Sequence, residues 1–148
     1  MSYRSLAAVS LLVIAASFGC GSGVKPEVVP PLEVVSGKIL LDGKPSPGIN
    51  VTFFPMGKGN PSTGTTDAEG AYTLTYRNGA PGVPAGDYVV LLSKLTQKDG
   101  TPIPEGKTAA DVMAVDQIPE RFRAMDNMRQ QVNVPKGGKT FDFEIKSK

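Results

Sequence analysis

Apolar and polar side chains alternate with a period of two in short segments along most of this chain. Between Val35 and Leu41, the odd-numbered positions are apolar residues or glycine, whereas Ser36 and Lys38 are polar. Such alternation is typical of a β-strand with one buried face and one solvated face. The same pattern recurs between turns rich in Gly, Pro, Asn and Asp, and it covers residues 35–41, 49–55, 63–66, 72–76, 88–93, 132–134 and 141–145. The sequence therefore predicts an all-β fold.

A strand with one apolar face is stable only when that face packs against a second layer. Seven short strands separated by frequent turns are the pattern of a β-sandwich. The side chains predicted to point inward are Ile39, Leu41, Ile49, Val51, Phe53, Tyr72, Leu74, Tyr88, Val90, Leu92, Val134, Phe141, Phe143 and Ile145.

The first residues have the features of an export signal. Arg4 precedes an apolar run over residues 6–18, which ends close to the single cysteine, Cys20. A membrane-spanning helix needs about 20 apolar residues, so this shorter run is typical of a secretory signal peptide. The segment Ser17-Phe18-Gly19-Cys20 resembles the lipobox of bacterial lipoproteins, in which cleavage precedes a cysteine that is then acylated.

This resemblance implies a signal peptide over residues 1–19, an acylated Cys20 and a tether rich in Gly and Pro over residues 20–32. Acyl chains contribute about 0.8 kcal/mol per buried CH₂, so two or three of them anchor a protein durably. The protein would then be exported across the inner membrane of a bacterium and held in the cell envelope. The alternative is a soluble secreted protein with a free thiol at Cys20, since Ser17 and Gly19 also suit ordinary signal cleavage.

The composition excludes several classes of function. The chain has no histidine and only one cysteine, which excludes Ser-His and Cys-His nucleophile pairs and imidazole metal sites. The formal net charge is only +2, with 16 basic and 14 acidic side chains, whereas nucleic-acid binding needs a clustered basic excess. We therefore expect no catalytic residue, no metal, no cofactor and no nucleic-acid partner.

The turn and core residues also follow a recognisable order. Its segments are Val35-x-Gly37-x-Ile39, Asp42-Gly43-x-Pro45-x-x-Gly48-x-x-Val51-x-Phe53-x-Pro55, Thr66-Asp67-x-x-Gly70-x-Tyr72-x-Leu74 and Gly86-x-Tyr88-x-Val90. This order resembles the carboxypeptidase regulatory-like domain, over residues 33–148. Together with Ile118-Pro119-Glu120-Arg121-Phe122 and Phe141-x-Phe143-x-Ile145, it is similar to a small lipoprotein form of that domain in planctomycete-type bacteria.

The resemblance implies a seven-stranded transthyretin-like (prealbumin-like) β-sandwich. In metallocarboxypeptidases the similar domain is an accessory module without catalytic residues. A transthyretin-like hydrolase shares the fold but depends on histidines, which this chain lacks. The resemblance therefore implies a fold and no enzymatic activity, because its matching residues form turns and core.

The segment Asp67-x-Glu69-Gly70 has two interpretations. It resembles the start of a calcium-binding loop, but the further acidic ligands of an EF-hand do not follow. We therefore predict a hairpin turn in which Asp67 accepts bonds from nearby backbone N–H groups and Gly70 has a positive φ.

The connection over residues 96–127 is longer than most loops in a compact domain, which favours a functional or mobile segment. Thr108 and Asp111 have the spacing of a helix cap, and Pro119 is suited to open a short turn through Phe122. We expect Ile118 and Phe122 to pack on the sandwich. We predict that the part up to residue 116 is mobile and forms the main interaction surface, through Lys98, Asp111, Met113, Val115 and Asp116.

These observations favour a non-catalytic, lipid-anchored envelope module with a binding or structural role and an unidentified protein or glycan partner. A carbohydrate- or peptide-binding accessory subunit of an envelope enzyme or transporter is the first alternative, and exposed aromatic side chains on one sheet would favour it. A histidine-free hydrolase is the second, and it would require a cleft with two carboxylates about 5–9.5 Å apart.

Overall fold

The computed structural model describes residues 29–125 and 130–147, so the proposed signal peptide and Cys20 lie outside the described residues. The strands are β1 (Leu32–Glu33), β2 (Val35–Leu41), β3 (Lys44–Pro45), β4 (Asn50–Pro55), β5 (Ser62–Thr65), β6 (Ala71–Thr73), β7 (Val83–Pro84), β8 (Gly86–Ser93), β9 (Leu95–Thr96), β10 (Val115–Asp116), β11 (Gln131–Val134), β12 (Lys139–Thr140) and β13 (Phe143–Ile145). The described residues also include the 3-10 turns η1 (Arg77–Gly79) and η2 (Glu120–Phe122). The predicted all-β fold is confirmed.

Four strands form an antiparallel sheet in the order β11-β8-β4-β5. Val51 lies opposite Leu92 and Phe53 lies opposite Val90, so the apolar faces of β4 and β8 coincide. This register follows from the period-two pattern, because a slip of one residue would turn the apolar side chains of one strand to the opposite face.

A second group of strands is built around β2. On one side β2 pairs in parallel with β12 and β13. On the other side it pairs antiparallel with β6 and β3. The parallel pairs bring the first and the last strands of the domain side by side, since Ile39 lies opposite Phe143 and Leu41 lies opposite Ile145.

The inward faces of the two sheets share one hydrophobic core. Most of the predicted core residues are buried, whereas Leu41, Phe141 and Phe143 are partly buried and pack against the cluster. The buried apolar residues also include Val35, Tyr76, Val83, Val89 and Ile118. The burial of Ile118 and the packing of Phe122 confirm that the connection covers part of the sandwich.

The predicted strand at 141–145 is interrupted at its beginning. The backbone of Phe141 passes over Gly37, where a Cβ atom would lie 1.8 Å from the Phe141 carbonyl oxygen. The Tyr72 hydroxyl donates to this oxygen at 2.7 Å, and the Lys38 N–H donates to the Asp142 carboxylate at 2.7 Å. Between β12 and β13, bonds that involve side chains therefore take the place of the backbone hydrogen bonds of a regular strand pair. Burial, with a smaller contribution from the charge of Asp142, raises the pKa of Tyr72 well above its usual range.

Several other predicted boundaries differ from the structure, most of them by one or two residues. The strand expected over 72–76 ends at Thr73, because the chain turns through η1 and the Tyr76 N–H donates to the Ala80 carbonyl. Leu32, predicted to be the last residue of the tether, lies in β1 opposite Pro84. The chain therefore joins the fold beside β7, next to the start of β8.

Candidate functional site

The long connection forms a hairpin closed at its base by β9 and β10. Thr96 lies opposite Val115, and Leu95 lies opposite Asp116. We refer to residues 97–114, which lie between these strands, as the distal loop. It follows the last residues of β8, whereas the chain joins the fold beside the first residues of β8. The distal loop and the incoming chain therefore lie at opposite ends of the domain.

Asp116 fixes the base of this hairpin to the sheet. Its side chain is only 9% exposed. One carboxylate oxygen accepts the backbone N–H groups of Lys94 and Ile118, both at 2.9 Å. The other accepts the Ser93 hydroxyl at 2.6 Å and lies 3.8 Å from the Arg123 guanidinium. Asp116 therefore holds β8, β10 and the chain after β10 together, unlike the other predicted interaction residues.

Those other four residues are exposed. Lys98 and Asp111 are solvent-accessible, the Met113 side chain is 69% exposed and the Val115 side chain is 37% exposed. Leu95, on the strand paired with β10, is 48% exposed. Exposed apolar side chains at a rigid base, next to a polar loop, suit contact with a macromolecule.

Within the distal loop, Thr108 and Asp111 bond to each other. The Thr108 N–H and hydroxyl each donate to the Asp111 carboxylate at 2.8 Å, and the Asp111 N–H donates to the Thr108 hydroxyl at 3.3 Å. The predicted cap bonds are thus confirmed, but the residues that follow form turns rather than a helix. Met113 has a φ of 47°, and a left-handed residue cannot continue a right-handed helix.

Hydrogen bonds lower the pKa of two carboxyls in this loop. Bonds from the Thr108 N–H and then its hydroxyl lower the pKa of Asp111 below its usual range. The Thr101 hydroxyl and then its N–H lower the pKa of Asp99 in the same way. Both groups therefore stabilise their turns above their ordinary pKa, and this stabilisation is lost as the pH falls through the lowered values.

This arrangement gives a prediction for the variant Thr108→Ala. We expect the titration midpoint of Asp111 to rise towards the value of an ordinary aspartate, because one of its donors is removed. The midpoint of Asp99 should stay in place and serves as the internal control. NMR titration of the two side-chain carboxyl carbons measures both. An unchanged Asp111 midpoint would contradict the bonding within this turn.

A groove of about 530 Å³ lies at the opposite end of the domain. The residues that line it come from the incoming chain, the β4–β5 loop, the residue before η1 and the start of β8. They include Pro30, Met56, Lys58, Asn60, Tyr76, Asp87 and Tyr88. The Asn60 amide donates to the Tyr76 hydroxyl at 3.2 Å, and the Tyr88 hydroxyl donates to the Pro84 carbonyl at 2.8 Å. Burial, followed by the proximity of Tyr76, raises the pKa of Tyr88.

Three tyrosines belong to the core and do not form a sugar-binding platform. Tyr72, Tyr76 and Tyr88 are at most 7% exposed. Among the described residues, the large hydrophobic side chains that are exposed are all aliphatic or methionine. No row of exposed aromatic rings is therefore available to a carbohydrate within the described parts of the chain.

The Asp67 segment forms the predicted turn. The Asp67 carboxylate accepts the N–H groups of Glu69 at 3.0 Å and of Ala71 at 2.9 Å. Gly70 has a φ of 71°, and a Cβ there would lie 2.6 Å from the Ile39 carbonyl oxygen. The described residues contain no group of three or more acidic, cysteine or histidine side chains suited to hold a metal ion.

A serine and a lysine that are distant in sequence meet at the far end of β8. The Lys94 ammonium donates to the Ser46 hydroxyl at 2.8 Å, and the Ser46 carbonyl accepts the Thr66 hydroxyl at 2.7 Å. A Ser-Lys pair can provide an activated nucleophile, but Ser46 is only 4% exposed. The pair therefore ties the turn before β4 to β8. The two residues are 48 positions apart in the chain, so their contact leaves no local signal in the sequence.

The chain was compared with protein-family models, with curated proteins and with solved structures, and it matches none of them. Among the described residues, no helix is long and apolar enough to span a membrane.

Proposed function

We propose that this protein is an exported bacterial lipoprotein whose Cys20 is acylated, and that residues 33–148 form a non-catalytic module of the cell envelope. We further propose that the module belongs to the carboxypeptidase regulatory-like family, with a seven-stranded transthyretin-like sandwich. The single cysteine at the end of the apolar run supports the anchor. The two sheets that share one core support the sandwich.

The role that we assign to the module is to hold the distal loop available to a protein partner. The observation that carries this proposal is the contrast at the base of the loop. Asp116 is fixed by its contacts with Ser93 and Lys94, whereas Met113 and Val115 next to it stay exposed. A binding loop on a rigid scaffold needs this combination of fixed ends and accessible side chains.

A non-catalytic role is supported by the hydrogen bonds of several polar side chains, which are made to backbone groups of the fold. The hydroxyls of Tyr72 and Tyr88 donate to backbone carbonyls. The Asp42 carboxylate, which faces a shallow cleft together with Glu144, accepts the N–H of Ser147 and so secures the end of the chain. These groups stabilise turns and strand ends, as the resemblance to an accessory module implies.

Replacing residues 98–114 with a short Gly/Ser linker tests the role of the distal loop. The replacement keeps Thr96, Val115 and Asp116, so the hairpin base and the sheet stay intact. We expect the free energy of unfolding to change by less than about 2 kcal/mol, because loop length adds little closure entropy. The partner recovered by cross-linking the wild-type lipoprotein in membranes should be lost from the variant.

The control for this experiment is Lys44→Ala, an exposed position in β3 outside the loop. We expect this variant to keep the partner. Full retention of the partner by the loop replacement would contradict an interaction surface in the distal loop, and so would a failure of that variant to fold.

A further inference from the structure

The end of the domain that receives the incoming chain is assembled from four neighbouring segments. Pro30 lines the same groove as the β4–β5 loop and the start of β8. The Met56 N–H donates to the Asp87 carbonyl at 2.9 Å, which joins the end of β4 to β8. The turn before β12 joins them at the start of β2, because the Lys139 N–H donates to the Val34 carbonyl at 3.2 Å.

Three apolar side chains at this end are exposed instead of packing into the core. The Val29, Val34 and Met56 side chains are 55%, 68% and 54% exposed. They lie on the incoming chain and on the β4–β5 loop, so they project from the end of the sandwich rather than from the face of a sheet. Apolar side chains on loops at one end of a domain are suited to shallow insertion among lipid headgroups.

Three lysines and two carboxylates lie at this end, so positive charges outnumber negative ones by one. Lys58, Lys136 and Lys139 are exposed. The two carboxylates nearby are used within the fold: the Gly137 N–H donates to Glu33 at 2.8 Å, and the Asn133 amide donates to Asp87 at 2.7 Å. Each lysine near an anionic bilayer strengthens binding about fivefold.

The distal loop has the opposite character. Its charged residues are Lys98 and Lys107 against Asp99, Glu105 and Asp111. The two ends of β8 therefore differ in charge as well as in position. A negatively charged loop would be repelled by the surface that attracts the other end, so both ends favour the same orientation.

We propose that the end surface formed by Val29, Val34, Met56, Lys58, Lys136 and Lys139, which we call the proximal face, rests on anionic phospholipid. This inference rests on the proposed anchor at Cys20, which would deliver the face to the bilayer. The short segment between Cys20 and Val29 spans at most about 30 Å when extended. Contact then orients β8 away from the membrane, and it presents the distal loop to partners in the surrounding compartment.

An acidic protein is a different occupant, and the observations favour lipid over it. The proximal face has three exposed apolar side chains, Val29, Val34 and Met56, which are few for the apolar centre of an interface with a folded protein. The chain also leads from this end towards Cys20, so the bilayer is the surface held closest to it.

The test uses the mature chain from residue 20 with Cys20→Ser, so that no acyl chain contributes to binding. The hydrophobic core cluster and the thirteen strands described above all lie after residue 28, so the chain without its signal peptide keeps these elements. Binding is measured by sedimentation with vesicles of phosphatidylcholine alone, or of phosphatidylcholine mixed with phosphatidylglycerol. Polyaspartate serves as a soluble polyanion in a competition arm.

We expect binding to the anionic vesicles and not to the neutral ones, with a decrease as salt is raised. The double variant Lys136→Gln/Lys139→Gln should weaken binding at least about tenfold. Met56→Ser should weaken it further, whereas polyaspartate should compete poorly because it offers no apolar phase. The matched control Lys98→Gln/Lys107→Gln should bind like the parent chain.

Equal weakening by the control pair, equal binding to both vesicle types, or no binding would overturn the proposal. Complete competition by polyaspartate, together with no effect of Met56→Ser, would indicate a general anion site and would also overturn it. Since the chain carries no acyl group, these results do not depend on whether Cys20 is acylated in the cell. Failure of the anchor and failure of the proximal face are therefore distinguishable.

Discussion

The variant Gly37→Ala should lose at least about 3 kcal/mol of stability, which is a large share of the total for a domain of this size. The added Cβ would lie 1.8 Å from the Phe141 carbonyl oxygen and 2.9 Å from the Tyr72 ring. Backbone cannot move aside as the end of a flexible side chain can, so β12 would separate from β2. Thermal unfolding followed by circular dichroism should show a midpoint lowered by about 10 °C or more.

The matched control is Gly57→Ala. A Cβ at Gly57 meets no atom within 4 Å, so this substitution should change the midpoint by only a degree or two. A Gly37→Ala midpoint within about 2 °C of the control would contradict the close passage of Phe141 over β2.

The second large effect is expected for Asp116→Ala, with a loss of about 3 kcal/mol. The change leaves the Lys94 and Ile118 N–H groups and the Ser93 hydroxyl without their acceptor. Asp116→Asn should lose less, because its amide oxygen still accepts the two N–H groups. Urea unfolding of both variants measures the difference.

Asp111→Ala is the control for this prediction, because it removes an acid from the same connection. Asp111 is exposed and bonds to Thr108 within its own turn, so we expect a much smaller loss than for Asp116→Ala. Equal losses for Asp111→Ala and Asp116→Ala would contradict the role of Asp116 in fixing the hairpin.

Local patterns in the sequence predict the parts of the fold that depend on neighbouring residues. The alternation identified the buried face of β2 and the facing residues of β4 and β8, because a strand of period two shows directly which side chains share a face. The Asp67 turn was predictable for the same reason, since its bonds close within four residues.

The parts that were not predicted depend on distant contacts. The sequence pattern includes Gly37 but does not show why a glycine is required there. Glycine is required because the Phe141 backbone lies against this position, and it does so only because β12 pairs in parallel with β2. The bond from Lys38 to Asp142 that interrupts the last strand spans 104 residues. Neither contact leaves a periodic signal.

The candidate site shows the same division. The sequence predicts that Asp116 belongs to the interaction surface with Met113 and Val115, because all three are near one another in the chain. Its partners Ser93 and Lys94 are more than 20 residues away, so the sequence did not separate a buried acid from an exposed one. The Thr108–Asp111 bonds were predictable from spacing, whereas the left-handed Met113 that prevents a helix was not.

The proposed orientation of the domain depends on acylation of Cys20, which would hold the proximal face close to a membrane. Mass spectrometry of the N-terminal peptide from protein expressed with its signal in a bacterium, then extracted from membranes, tests this acylation directly. We predict a peptide that begins at Cys20 and carries acyl chains, and its loss in Cys20→Ser. A mature N-terminus at another residue, or an unmodified Cys20, would contradict the account.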